Sequence, residues 1–175
     1  MPKPSDALYL DRVQTPIGEL LLVAGSDGTL RMLEFADKPE RWRREFRRRF
    51  DNQDFENKRD PFGLSKAIAR YFKGALAVLE SIATQVDGTP FQCSVWRALR
   101  RIPAGATTSY AALAERIARP AAIRAVGLAN GANPIAIVVP CHRVVGSQGS
   151  LTGYGGGLER KRWLLNHEAS YRGQM

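Results

Sequence analysis

The chain has 175 residues, 44% of them apolar and 25% charged, with a formal net charge of +9. That length supports a buried core in one domain or two small ones, and the composition excludes a disordered or collagen-like chain. No apolar run reaches membrane-spanning length, and Met1–Asp6 lacks the apolar stretch behind a basic start that marks a secretory signal. A cytoplasmic protein without membrane association is expected. Its two cysteines then point to reduced thiols, although pairing of Cys93 with Cys141 stays open. Cys93, Cys141, His142 and His167 offer no spacing suited to a structural zinc site.

The charge is unevenly divided. Residues 1–88 hold 15 Lys and Arg against 14 Asp and Glu, whereas residues 89–175 hold 11 against 3. A second half this basic suits a polyanionic partner such as nucleic acid, or a surface kept soluble by charge.

In chain order, three short apolar runs open the first half: Leu8–Leu10, Glu19–Val23 and Thr29–Phe35. Pro16-Ile17-Gly18 and Ser26-Asp27-Gly28 separate them as turns. Residues 39–50 change to a helical period, with Trp42, Phe46 and Phe50 four apart. The opposite face carries Arg41, Arg43, Arg44, Arg47 and Arg48, which either contact phosphates or are simply solvated. Residues 51–60 read as a polar loop, Phe62–Gly74 as another helix, and residues 80–90 as a linker. The predicted domains are 1–82, an α/β unit with antiparallel strands, and 83–175, giving an α+β fold overall.

The second half is mainly helical. Thr89-Pro90 caps a helix whose Phe91, Val95, Leu99 and Ile102 share one face, and Pro103 and Gly105 end it. Ser109–Ile117 and Ala121–Ala129 form two short helices joined by a brief turn, the pattern of a helix-turn-helix. The second presents mostly alanine and glycine, including Ala121 and Ala125, with Arg124 as its one long polar side chain. Small residues let a helix approach a narrow groove, and one arginine can enter a base stack; a packed helix with a solvated arginine has the same sequence. A last helix is predicted from about Leu158 to Glu168.

The run Ile135-Ala136-Ile137-Val138-Val139 has the length of a buried strand, and Pro140 should end it. Cys141 would then sit at a strand end beside His142 and Arg143. The chain has two cysteines and two histidines, and one of each stands here as neighbours, which places Cys141 to react rather than merely to pack.

Pro140-Cys141-His142-Arg143-Val144, with Asn133-Pro134 before it and Tyr154 and Glu168 after it, resembles the O6-alkylguanine-DNA alkyltransferase family, also called methylated-DNA–protein-cysteine methyltransferases. The likeness runs from about Thr89 to Glu168 and is looser before that, resting on strand order and the Thr15-Pro16-Ile17-Gly18 turn. It implies a C-terminal domain with a winged-helix-like helix-turn-helix. It also implies direct, irreversible transfer of an alkyl group from O6 of guanine in DNA, and leaves open O4 of thymine as a second source of that group. The protein would act once per molecule, as a monomer, without cofactor or metal. Its partner would be double-stranded DNA carrying O6-alkylguanine, bound through the minor groove with little sequence preference.

By the same resemblance, Cys141 is the alkyl acceptor, His142 its base through a bridging water, and Glu168 the residue that orients the imidazole. Tyr110 would donate a proton to guanine N3 and help rotate the nucleotide. Arg124 would fill the gap left by the extruded base, with Ala121 and Ala125 close to the DNA. Tyr154 would wall the pocket, and the backbones of Val144 and Gly155 would bind the guanine edge. Gly155 stands where relatives carry serine, which predicts a roomier pocket. Asn133 would tie the helix-turn-helix to the active-site strand, Arg143 would be structural, and His167 a surface residue.

Three other readings compete. A non-catalytic binder of alkylated bases would lack the acceptor cysteine. A thiol hydrolase would need an oxyanion motif that is not evident. A helix-turn-helix regulator would need only Arg124 and the basic surface.

Overall fold

The computed structural model describes residues 7–51 and 53–174. It forms two compact units that divide between Val86 and Asp87.

The first unit is built around strand β2, Leu20–Gly25, whose sequence LLLVAG carries no polar side chain and is buried throughout. Such a strand belongs at a sheet centre covered on both faces. It lies between β1 (Leu8–Val13) and β3 (Leu30–Phe35), antiparallel to both, with a register shift at Val23/Ala24. Gly28, at φ +81°, completes the tight turn into β3, while Asp27 accepts from the Thr29 amide.

Helix α1, Pro39–Phe50, follows the predicted span. Its Phe46 and Phe50 pack against Leu8, Leu10, Val23 and Met32. Residues of the opposite parity, such as Leu20, Leu22 and Leu33, are buried as well, so both sheet faces are covered. Each such side chain contributes roughly 1.5–3 kcal/mol.

Three expectations for this unit are corrected. Residues 51–60 are not simply a loop: Phe55–Asn57 form β4, parallel to β1, completing the order β3-β2-β1-β4. Its side chains are largely exposed, with the Phe55 ring meeting Phe46 of α1 edge-on at 5.1 Å, so no apolar pattern announces it. The helix predicted over Phe62–Gly74 is shorter, because positive φ at Asp60, Phe62 and Gly63 makes a tight turn and regular α2 runs from Leu64 to Phe72. The boundary at 82 and the linker over 80–90 also move. Leu76, Leu79 and Ile82 are buried, the Leu30 amide donates to Ala83 O at 2.9 Å, and the Gln85 amide donates to Leu30 O at 3.0 Å. The chain thus stays bound to the first unit through Gln85.

In the second unit, helix α3, Pro90–Leu99, starts with a capping box. Thr89 Oγ1 accepts from the Gln92 amide, and Gln92 Oε1 accepts from the Thr89 amide. Helix α4, Tyr110–Arg116, is capped by the Ser109 hydroxyl. Helix α5 spans Ile123–Gly131, starting and ending two residues later than predicted, because Pro120–Ala122 form a turn. Trp96 on α3 donates its indole N–H to Ala129 O at 2.9 Å and locks α3 to α5. Helix α6, Leu158–Tyr171, closes the unit. His167, expected at the surface, is 9% exposed and stacks on Trp163 with ring centroids 4.8 Å apart. None of the helices among the described residues is long and apolar enough to cross a membrane.

Candidate active site around Cys141

The run before Cys141 is buried as expected, but it is not a strand. Residues 136–138 form a turn. The Val138 amide donates to Ala136 O at 2.8 Å across Ile137, which sits at φ +72°. A β-branched residue rarely enters that region, so the turn is strained and needs support from its surroundings. Asn133 supplies it: Nδ2 donates to Val139 O at 2.8 Å and to Ile135 O at 3.3 Å, and Oδ1 accepts from the Ile135 amide at 3.0 Å. Arg100 adds a bond to Val138 O at 2.9 Å. A β-branched apolar run reads as a strand locally; these two side chains override that preference.

Pro140 (φ −83°, ψ 66°) centres an inverse γ-turn, closed by the Cys141 amide on Val139 O at 2.8 Å. Cys141–Arg143 then make one 3₁₀ turn, and strand β6 (Val144–Val145) pairs in parallel with β5 (Thr108–Ser109). Cys141 therefore heads a tight turn rather than ending a strand. It is 7% exposed, and neither cysteine is in a disulfide.

His142 and Glu168 are fully buried, and His142 Nε2 lies 2.8 Å from Glu168 Oε1. Nδ1 of the same ring is buried and makes no hydrogen bond among the described residues. Burial pushes the imidazole's pKa below its usual range, outweighing the upward pull of Glu168. A neutral ring is therefore the resting form. Burial also acts to raise the Glu168 carboxyl, but His142 and Arg143 prevail and hold it well below the usual carboxylate range. With the imidazole neutral, that ionisation rests on Arg143. Its Nε and Nη2 donate to the two carboxylate oxygens at 2.9 and 2.8 Å, and Nη1 donates to Ile102 O at 2.5 Å. The Gly105 amide gives Glu168 Oε2 a further donor at 3.2 Å. Arg143 is thus the structural clamp of the carboxylate.

Lys161 escaped the sequence reading. It is fully buried, and Nζ donates to Val144 O (2.6 Å), Thr152 O (2.8 Å) and Gly153 O (3.3 Å). Burial pulls its pKa down, and the charge of Cys141 pulls it back up, so sulfur and ammonium sense each other. A signal existed: Lys161, Leu164 and Glu168 share one stripe of α6 at helical spacing, and both charged members lie on the buried side.

Lys161 also anchors the glycine-rich loop. Tyr110 reaches the same loop, its hydroxyl donating to Thr152 O at 3.2 Å, while its ring covers Gly127 of α5. Tyr154 is half-buried in that loop, and Gly155 is exposed. The structure therefore joins Cys141, His142, Glu168, Val144, Asn133 and Tyr110 through one set of contacts. Ala121, Arg124 and Ala125 are exposed on the α5 segment, apart from that set, with Leu128 71% exposed beside them.

Comparison with known proteins points to one family. The family described as 6-O-methylguanine DNA methyltransferase, DNA binding domain, matches residues 90–170. A methylated-DNA–protein-cysteine methyltransferase of Salmonella typhimurium is 47% identical over 163 residues, covering 92% of this chain and 95% of the relative. One from Mycolicibacterium paratuberculosis is 49% identical over 158 residues, covering 87% of each. The solved structure of Mycobacterium tuberculosis OGT in complex with DNA superposes with a TM-score of 0.79 at 42% identity, covering 93% of this chain and 94% of that one. Likeness of this degree, over nearly the full length of both partners, establishes that the chain belongs to the methylated-DNA–protein-cysteine methyltransferase family.

Proposed function

We propose that this protein repairs DNA by transferring the alkyl group of O6-alkylguanine to its own Cys141, once per molecule. One observation carries the reading: a buried Cys141-His142 pair whose imidazole is held through Nε2 by the ionised Glu168, leaving Nδ1 without a hydrogen-bond partner among the described residues. The thiol proton passes to His142, through a bridging water as in the reading from resemblance. The sulfur then attacks the alkyl carbon, the carbon–O6 bond breaks, and a thioether remains on Cys141. Guanine leaves as an anion and takes a proton at N3 from Tyr110. Lys161, whose charge favours the thiolate, holds the loop carrying Tyr154 and Gly155 at the pocket. Val144 and Gly155 offer backbone groups to the guanine edge.

The same proposal gives α4 and α5 the role of a helix-turn-helix in the minor groove, with Ala121 and Ala125 close to the backbone and Arg124 replacing the extruded base. The basic second half supplies the phosphate contacts, and cytoplasmic residence follows from the DNA substrate and the need for a reduced Cys141. The test is mass spectrometry after mixing with duplex DNA containing O6-methylguanine. One methyl gained on the Cys141 peptide is expected, while Cys141→Ala binds the duplex without any transfer. An unmodified Cys141 in a protein that still binds DNA would refute the transfer and favour a regulator. Arg124→Ala should slow repair of the duplex more than reaction with the free alkylated base, since only the former needs extrusion.

A further inference from the structure

The arginine-rich face of α1 has no part in the site just described. Its charges are unevenly used. Glu34 is buried and taken up by Arg41, whose Nε lies 3.1 Å from both carboxylate oxygens. Glu45 is buried and faces Arg48 at 2.8 Å, Arg49 at 3.3 Å and Arg44 at 3.9 Å. Arg43 lies over the Trp42 ring at 5.3 Å, and no carboxylate among the described residues pairs with Arg43 or Arg47. Arg43, Arg44, Arg47 and Arg48 are all exposed, and with Glu40 they line a concavity of about 440 Å³.

A merely solvated helix face tends to alternate its charges, placing acid one turn from base. Here Arg43 stands one turn from Arg47 and Arg44 one turn from Arg48, two like-charged rows with about 6 Å between members. Glu45 already offsets the Arg44–Arg48 row, whereas Arg43 has only Glu40, unpaired among the described residues, one turn before it, and the repulsion between Arg43 and Arg47 is relieved by an anion lying across the face. Guanidinium groups at that spacing, on long arms, can reach every second phosphate of a duplex strand, since phosphates recur every ~3.4 Å of axis. The family's substrate is DNA, so that polyanion is at hand.

We propose that Arg43, Arg44, Arg47 and Arg48 form a second DNA contact, gripping duplex phosphates without sequence preference and outside the unit that carries Cys141. The face acts through electrostatics alone, so its signature is salt dependence. The experiment titrates the full chain with a short undamaged fluorescent duplex, by anisotropy, over a range of NaCl concentrations. The Arg43→Gln/Arg47→Gln variant leaves the partners of Glu45 in place and changes only exposed positions. Each lost phosphate contact removes about 0.9 from the slope of log K against log salt, so the slope should fall by about 2, with roughly tenfold weaker binding at low salt. Arg43→Lys/Arg47→Lys should keep the wild-type slope. An unchanged slope in the glutamine variant overturns the proposal, and so does an equal fall in the lysine variant. Arginine-dependent binding of polyglutamate with an unaltered DNA slope would instead assign the face to an acidic protein, and equally overturns it. Because these readouts use undamaged DNA, they are separate from whether Cys141 accepts an alkyl group.

Discussion

Replacing Glu168 with glutamine tests the site at its most constrained atom pair. The two carboxylate oxygens accept four contacts: His142 Nε2 and Arg143 Nη2 at Oε1, Arg143 Nε and the Gly105 amide at Oε2. A carboxamide must put its NH₂ on one side. At the Oε2 position it would meet two donors, Arg143 Nε and the Gly105 N–H. At the Oε1 position it meets one obligate donor, Arg143 Nη2, and a ring nitrogen that can become an acceptor. The second orientation costs less, and it switches the imidazole to the tautomer with hydrogen on Nδ1. The nitrogen proposed to accept the thiol proton is then blocked. A wrong-tautomer change of this kind is worth roughly 10³–10⁴-fold in rate.

The same substitution leaves the buried Arg143 guanidinium without its counter-charge and one donor pair opposed. About 3 kcal/mol of stability should be lost, a fall in Tm of roughly 10–20 °C. The assay is single-turnover alkyl transfer from an O6-methylguanine duplex, well below the variant's Tm, with the folded fraction followed by circular dichroism. A folded Glu168→Gln protein that transfers within a few-fold of the wild-type rate would refute the assignment of His142 as base and Glu168 as its orienting partner.

Asn133→Ala strips three hydrogen bonds from the strained turn at Ile137 and should cost about 3 kcal/mol, seen as faster hydrogen exchange at the Val138, Val139 and Cys141 amides. Lys161→Met keeps the side-chain volume but removes the donor to Val144, Thr152 and Gly153. Transfer should slow by roughly tenfold or more while affinity for undamaged duplex is retained, the mark of a charge aimed at a reacting anion; equal losses in both measurements would contradict that role. Glu34 gives the first unit a pH dependence of its own. Desolvation by burial raises its pKa from 4.5 to about 7 against the pull of Arg41, so it keeps its proton in the folded chain over a range where the unfolded chain has lost it. Its contribution is complete below the unfolded value and is lost as pH rises through about 7, a change of roughly 3 kcal/mol. Glu34→Gln should flatten that slope, measured by exchange of the β2 amides between about pH 5 and 8 after correction for intrinsic rates.

Elements whose cause is local were legible along the chain. Thr89-Pro90 and Ser109 cap α3 and α4 because a hydroxyl next to a helix start has a backbone N–H within reach. The Glu19–Val23 run and the spacing of Trp42, Phe46 and Phe50 marked out β2 and α1, since a continuous apolar run and a helical period are properties of a single segment. Cys141 beside His142 was equally plain, and the resemblance of the surrounding motif carried the chemistry with it.

What needed the folded chain is whatever depends on two distant segments meeting. Only the stripe they share with Leu164 sets Lys161 and Glu168 apart from the exposed Glu159 and Arg162 of the same helix, and no local pattern shows what that stripe will meet. They become site residues because α6 packs that stripe against Arg143 and the carbonyls of Val144 and Thr152. The Ile135–Val139 run has the composition of a strand, yet Asn133 and Arg100 fold it into a turn whose strain no local pattern encodes. β4 is the reverse case, a strand with exposed side chains created by the open edge of β1. The order of residues determined which groups were available to react and where helices and strands begin. Burial and long-range hydrogen bonding, which exist only once the surfaces are in contact, decided which of those groups are charged, neutral or aimed at Cys141.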